Sequence, residues 1–178
     1  MTHETKQKEE THGTSLVAIR YASGVVLAAD SQISRGILKS SYNSDKIVQI
    51  SPDPSTYGAV FVMGSGTSSH IQVVTRIVFN YLTYLSMELQ EKNKLQLESV
   101  VQIYKNICYG NKKFIRGNFI ISDGKRIFAV KRDGSYFGFN DFAAAGSGSQ
   151  LMLGLLEGEY REQMSYLEAH DLALKCLR

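Results

Sequence analysis

Residues 13–31 read GTSLVAIRYASGVVLAADS, and their pattern decides the fold. From Ser15 to Tyr21 the apolar positions alternate. Leu16, Ala18 and Arg20 face one way, and Val17, Ile19 and Tyr21 face the other. Period-two alternation with β-branched residues predicts a strand. Ser23-Gly24 predicts a tight turn. Residues 25–29, VVLAA, form a continuous apolar run, which predicts a return strand buried on both faces. Ahead of this hairpin lies MTHETKQKEETHG, with no apolar residue after Met1. Residues 1–13 cannot offset ordering entropy by burial and are expected to be a flexible leader, with one domain over residues 14–178.

Outward from the hairpin, residues 46–50 and 58–63 predict a second strand pair around the Pro52/Pro54 turn. The period then changes. Ile71, Val74, Val78, Tyr81, Leu85 and Leu89 recur at helical spacing, and after QEKNK so do Leu97, Val100, Val101, Tyr104, Ile107 and Cys108. Strands return at 118–122, 126–131 and 136–139, with Asp123-Gly124 and Asp133-Gly134 as turns. Helices are expected after Gly146 and over residues 166–178. Strands, paired helices, strands and helices predict an α+β fold. Two antiparallel sheets face to face with helices outside, a four-layer α-β-β-α sandwich, would bury both the hairpin and the helical stripes.

Composition narrows the function. The chain has 178 residues, is 43% hydrophobic and 21% charged, and carries a net charge of +3. The basic pairs Lys112-Lys113, Lys125-Arg126 and Lys131-Arg132 are separated and interleaved with acids, which argues against nucleic acid as a partner. No run approaches the roughly 20 apolar residues of a membrane span. Cys108 and Cys176 lack CxxC or His/Cys spacing and read as thiols in a reducing compartment. No metal-ligand spacing and no cofactor motif occurs. The glycine-rich segments at 63–66 and 146–149 each precede a helix. They read as tight turns with a helix start, as weak anion sites, or as oxyanion-binding turns if a nucleophile faces them.

Thr14 is the candidate nucleophile. Its hydroxyl needs a base, and an α-amine on the same residue supplies one, with a reference pKa near 7.7–8.0. That requires cleavage between Gly13 and Thr14. Without it, Thr14 is a strand residue.

These segments, with DKIVQI at 45–50 and AAAGSGSQLMLGLLEGEY at 143–160, resemble the β-type subunits of the 20S proteasome, which are N-terminal-nucleophile hydrolases. The resemblance runs from Gly13 to Arg178. It implies a threonine peptidase subunit that cleaves itself at Gly13-Thr14, with Thr14, Asp30, Lys46, Gly64 and Ser147 as the catalytic set. Lys46, held by Asp30, would favour the alkoxide of Thr14; a structural ion pair is the plainer role. Gly64 would bind the oxyanion, and Ser147 would join the network around the amine. The same register suggests a specificity pocket of Ile33, Ser44, Val48, Val62 and Gly66, neutral and apolar. The resemblance further implies a seven-membered ring with other β-type subunits, α-type rings outside, unfolded polypeptide as substrate, no cofactor, and a cytoplasmic location, nuclear too in a eukaryote. A non-catalytic structural β-type subunit, or an unprocessed precursor, of the same ring is the alternative. The family continues past its last helix with an Arg-Asp…Ser-Gly-Gly segment and further strands, so the expected sandwich lacks its C-terminal strands.

Overall fold

The computed structural model describes residues 13–31, 33–35, 38–41, 46–53, 58–88 and 96–178; for 33–35 and 38–41 only the backbone is described. The expected leader falls on residues 1–12, outside the described residues, and ends at an exposed Gly13. Ten strands and four helices follow in the described residues. They are β1 (Ser15–Tyr21), β2 (Gly24–Ala29), β3 (Ile33–Arg35), β4 (Leu38–Ser41), β5 (Ile47–Gln49) and β6 (Phe61–Gly66), then α1 (Ser68–Glu88) and α2 (Leu97–Gly110). The second half holds β7 (Gly117–Ser122), β8 (Ile127–Val130), β9 (Tyr136–Phe139), β10 (Phe142–Gly146), α3 (Ser149–Glu159) and α4 (Tyr166–Leu177).

The strands form antiparallel sheets in the orders β10-β1-β2 and β5-β6-β7-β8-β9, with β3-β4 a separate ribbon. Alternation sorts their side chains into three apolar layers. Leu16 and Ala18 of β1 meet Met63, Ile120 and Ile127 between the sheets. Val17 and Ile19 point the other way, onto Met152, Leu156, Ala169 and Leu172 of α3 and α4. Val62, Phe119 and Ile121 pack beneath Val74, Val78, Leu82, Val100 and Tyr104 of α1 and α2. This is the expected four-layer α+β sandwich. Each fully buried Leu or Ile contributes about 1.5–3 kcal/mol, so a one-residue slip of β1 would exchange two cores at once.

Several expectations need correction. Both faces of β2 are covered, yet all six of its residues stay half-exposed, because among the described residues β2 ends its sheet and pairs with β1 alone. Tyr81 is exposed and Leu82 is buried in its place; after Val78, a 3.6-residue turn brings position 82 inward. Leu89 lies outside the described residues. Residues 64–66 are no loop: they finish β6 and pair with β7 through Gly66↔Gly117. The glycines serve packing, since a Cβ at Gly64 or at Gly117 would run into the Ile71 side chain. Their absence lets the first turn of α1 settle on the sheet. Strand β10 escapes sequence reading because FAAAG carries little β propensity. Only its pairing with β1, from Ile19↔Phe142 to Ser15↔Gly146, makes it a strand.

Neither cysteine forms a disulfide. Burial, with a smaller contribution from Asp133, pushes the Cys108 thiol up to about 11, which leaves it inert. Among the described residues, no helix is long and apolar enough to cross a membrane, and no group of His, Cys, Asp or Glu could hold a metal.

Candidate active site

The start of β1, the end of β2, the approach to β5 and the exit of β10 converge at one end of the two sheets. The last β1–β2 pair is Leu16↔Ala29. Beyond it Asp30 clamps Ser15 twice. The Asp30 N–H donates to the Ser15 carbonyl at 3.1 Å, and the Ser15 N–H donates to Asp30 Oδ1 at 2.6 Å. The carboxylate's other oxygen, Oδ2, is thereby turned away from β1. It accepts from Lys46 Nζ at 2.9 Å.

Lys46 arrives from the other sheet, immediately before β5. Its ammonium also donates to Thr14 Oγ1 at 3.4 Å. The lysine side chain is 10% exposed and that of Asp30 24%, so the pair is shielded from bulk water more than an ordinary surface pair. On the opposite side of Thr14, the Thr14 N–H donates to Ser147 Oγ at 3.3 Å. The Ser147 hydroxyl in turn reaches the Thr14 carbonyl at 3.4 Å. Ser147 is held there because Gly146 has φ +98°, and a Cβ on it would collide with the Thr14 carbonyl oxygen. A glycine is required where the chains pass this closely.

Thr14 is 7% exposed and borders two cavities. The first, of about 370 Å³, runs between β5–β6 and α1, past Lys46, Val48, Val62, Gly64 and Gly66. The second, of about 510 Å³, lies between the sheets beside Ser65, Asn118, Lys131 and Ser147. Thr14 and Gly66 border both. Of the expected site residues, Thr14, Asp30, Lys46 and Ser147 are joined by hydrogen bonds, and Gly64 lines the first cavity with Thr14 and Lys46. Val48, Val62 and Gly66 line that cavity too. Ile33 belongs to β3, of which only the backbone is described, and Ser44 lies outside the described residues. One face of α1, at Ser68, Ile71, Gln72, Thr75, Arg76 and Phe79, also lines the cavity and was missed in the sequence. Its i, i+3, i+4, i+7, i+8 spacing was legible, but the reading assigned that helix to the core alone.

Comparison with known proteins agrees with this architecture. The proteasome subunit family model matches residues 10–178. A probable proteasome subunit beta type-1 of Encephalitozoon cuniculi is 33% identical over 168 residues, covering 92% of this chain and 77% of that protein. Proteasome subunit beta 1 of Ignicoccus hospitalis is 29% identical over 172 residues, covering 93% and 81%. Proteasome subunit beta type-6 of Arabidopsis thaliana is 26% identical over 170 residues, covering 93% and 69%. The chain belongs to the proteasome subunit family, as a β-type subunit of the 20S particle. Membership implies assembly with other proteasome subunits.

Proposed function

We propose that this chain is a proteolytic β-type subunit in which Thr14 is the nucleophile, activated after self-cleavage at Gly13-Thr14. The observation that carries the reading is the contact of Lys46 Nζ with both Thr14 Oγ1, at 3.4 Å, and Asp30 Oδ2, at 2.9 Å. An ammonium beside a hydroxyl favours its alkoxide character, and the Asp30 carboxylate fixes the ammonium there.

In the precursor, Thr14 Oγ1 attacks the Gly13 carbonyl carbon. The C–N bond breaks, the Gly13 acyl group passes to the hydroxyl oxygen, and the proton released goes to the leaving nitrogen. Water then hydrolyses the ester, releasing residues 1–13 with a free carboxyl end and restoring the Thr14 hydroxyl beside the amine freed in the first step. In the mature subunit that amine, beside Ser147, takes the hydroxyl proton as Thr14 attacks a substrate carbonyl, and returns it to the departing amine. A backbone N–H at the end of β6, where Gly64 and Gly66 line the cavity, takes the oxyanion. Substrates are unfolded polypeptides, and the partners are other β-type and α-type subunits in stacked seven-membered rings, in the cytoplasm and, in a eukaryote, the nucleus.

The test uses the full protein in its assembled particle. Intact mass should show loss of residues 1–13 and a covalent adduct with an electrophile that requires both the hydroxyl and the amine. Thr14→Ala should retain the leader and form no adduct at equal assembly. A wild-type subunit that has lost its leader and still forms no adduct would make this a non-catalytic ring subunit.

A further inference from the structure

The end of β6, which takes the oxyanion in the proposed mechanism, is held in place by a histidine that lines neither cavity. Gly66, the last residue of β6, borders both cavities with Thr14. It pairs with Gly117. Its φ is +127°, and it lies so close to the Arg116 carbonyl that a Cβ would collide with it. The next residue, Thr67, donates its N–H to that same carbonyl at 2.9 Å, and the Thr67 carbonyl accepts the Ile71 N–H at 3.1 Å, which starts α1. The Arg116 backbone is therefore the anchor of the turn from β6 into α1. His70, half-buried in the first turn of α1, fixes that anchor from the other side: its Nδ1 accepts the Arg116 N–H at 3.2 Å.

A backbone N–H can only donate, so Nδ1 of His70 carries no proton and the ring N–H sits on Nε2. A proton added at Nδ1 turns the contact into donor against donor. The elements packed around the ring offer such a charge no carboxylate. Helix α1 has no acid before Glu88, and its other charged side chain is Arg76. The segment ahead of β7 carries Lys112, Lys113 and Arg116, the last turn of α2 adds the Cys108 thiol and the Tyr109 hydroxyl, and β6 and β7 carry no charge. A protonated ring therefore gains no ion pair from these elements to replace the bond it loses.

We propose that His70 is a positioning residue. Its neutral imidazole, accepting the Arg116 N–H, holds Gly66 and Thr67, and with them the oxyanion end of β6, beside the nucleophile. Protonation of the ring releases that end and slows the reaction. The proposal rests on the peptidase reading of the same site.

The test uses the assembled particle after leader removal. Wild type, His70→Asn and His70→Phe are compared from about pH 8 to about pH 5.5, which spans the ordinary histidine range. Asparagine places Oδ1 where Nδ1 now accepts and does not titrate; phenylalanine keeps a ring and loses the acceptor. The readout is the rate of adduct formation with a peptide electrophile, followed by intact mass. Protonation of the Thr14 amine lowers every rate alike, so ratios to the wild type isolate His70. At the upper pH, His70→Asn should match the wild type within about twofold and His70→Phe should be about fivefold slower. At the lower pH, the ratio of His70→Asn to wild type should have risen about fivefold, and the wild type should have fallen to the level of His70→Phe. A ratio of His70→Asn to wild type that stays constant with pH, or a His70→Phe as fast as wild type at the upper pH, would overturn the proposal. Amide exchange over residues 114–118 of the wild type, corrected for its intrinsic pH dependence, reads the same contact without chemistry or variants. Protection there should fall several-fold on acidification; unchanged protection would overturn the proposal even if no variant assembles. A wild type that has lost its leader and forms no adduct at any pH refutes the peptidase reading instead, and the exchange measurement then decides whether His70 holds β6.

Discussion

Replacing Asp30 by asparagine separates the charge of the clamp from its shape. Asparagine is nearly isosteric, and its Oδ1 still accepts the Ser15 N–H that Asp30 now takes at 2.6 Å. Its amide group then faces Lys46 Nζ, donor against donor, where Oδ2 now accepts at 2.9 Å. One charge-assisted bond is lost, which costs about 1.5–3 kcal/mol. The Lys46 side chain, 10% exposed, also loses the carboxylate that offsets its desolvation. Complete burial would bring the cost to about 3–5 kcal/mol. With the carboxylate 24% exposed, about 2–3 kcal/mol is expected for the unfolding free energy. The chemical effect should be larger in rate. Lys46 reaches Thr14 Oγ1 at 3.4 Å, the long end of a hydrogen bond, so a small retreat breaks it. Loss of a preorganised charge of this kind slows reaction about 10²–10³-fold. The assays are urea unfolding of the subunit, leader loss by intact mass, and the adduct rate in the assembled particle. Leader removal and adduct formation at wild-type rates in Asp30→Asn would refute the argument, and Lys46 would then be a structural ion-pair partner only.

Gly146→Ala should destabilise the subunit by about 2 kcal/mol or more, read as a lower urea midpoint at unchanged slope, because φ is +98° and the new methyl meets the Thr14 carbonyl. Asp123→Asn should cost about 1 kcal/mol near pH 7, since Asp123 accepts from the Lys125 and Arg126 backbones and pairs with the Arg126 guanidinium. Burial alone would raise the Asp123 carboxyl, but those bonds outweigh it and hold the group below the ordinary value of 3.8. A lowered folded value gives stability that is present above pH 3.8 and lost as pH falls through the folded value. Urea titrations should therefore show the Asp123→Asn difference shrinking below about pH 4; a pH-independent difference would contradict the linkage.

The alternation in β1 was enough to sort its side chains: Leu16 and Ala18 went between the sheets, Val17 and Ile19 under the helices, as a period of two requires. The stripe of α2 was equally plain, because both patterns are set by local backbone geometry. The spacing of Thr14, Asp30 and Lys46 was visible only through family resemblance, since nothing local ties residues sixteen and thirty-two positions apart. Tertiary structure decided the rest. It made a strand of the alanine-rich β10, whose backbone is held by β1 and which delivers Ser147 to Thr14. It turned Gly64 from an expected tight turn into a residue of β6 that, with Gly117 of β7, makes the bed for Ile71. It also placed Lys46 of one sheet against Asp30 and Thr14 of the other, and brought the Arg76 face of α1 to the nucleophile's cavity. A sequence encodes periodicity directly. Which periodic faces meet depends on how whole sheets and helices bury their apolar sides, and that is settled only when all the layers close together.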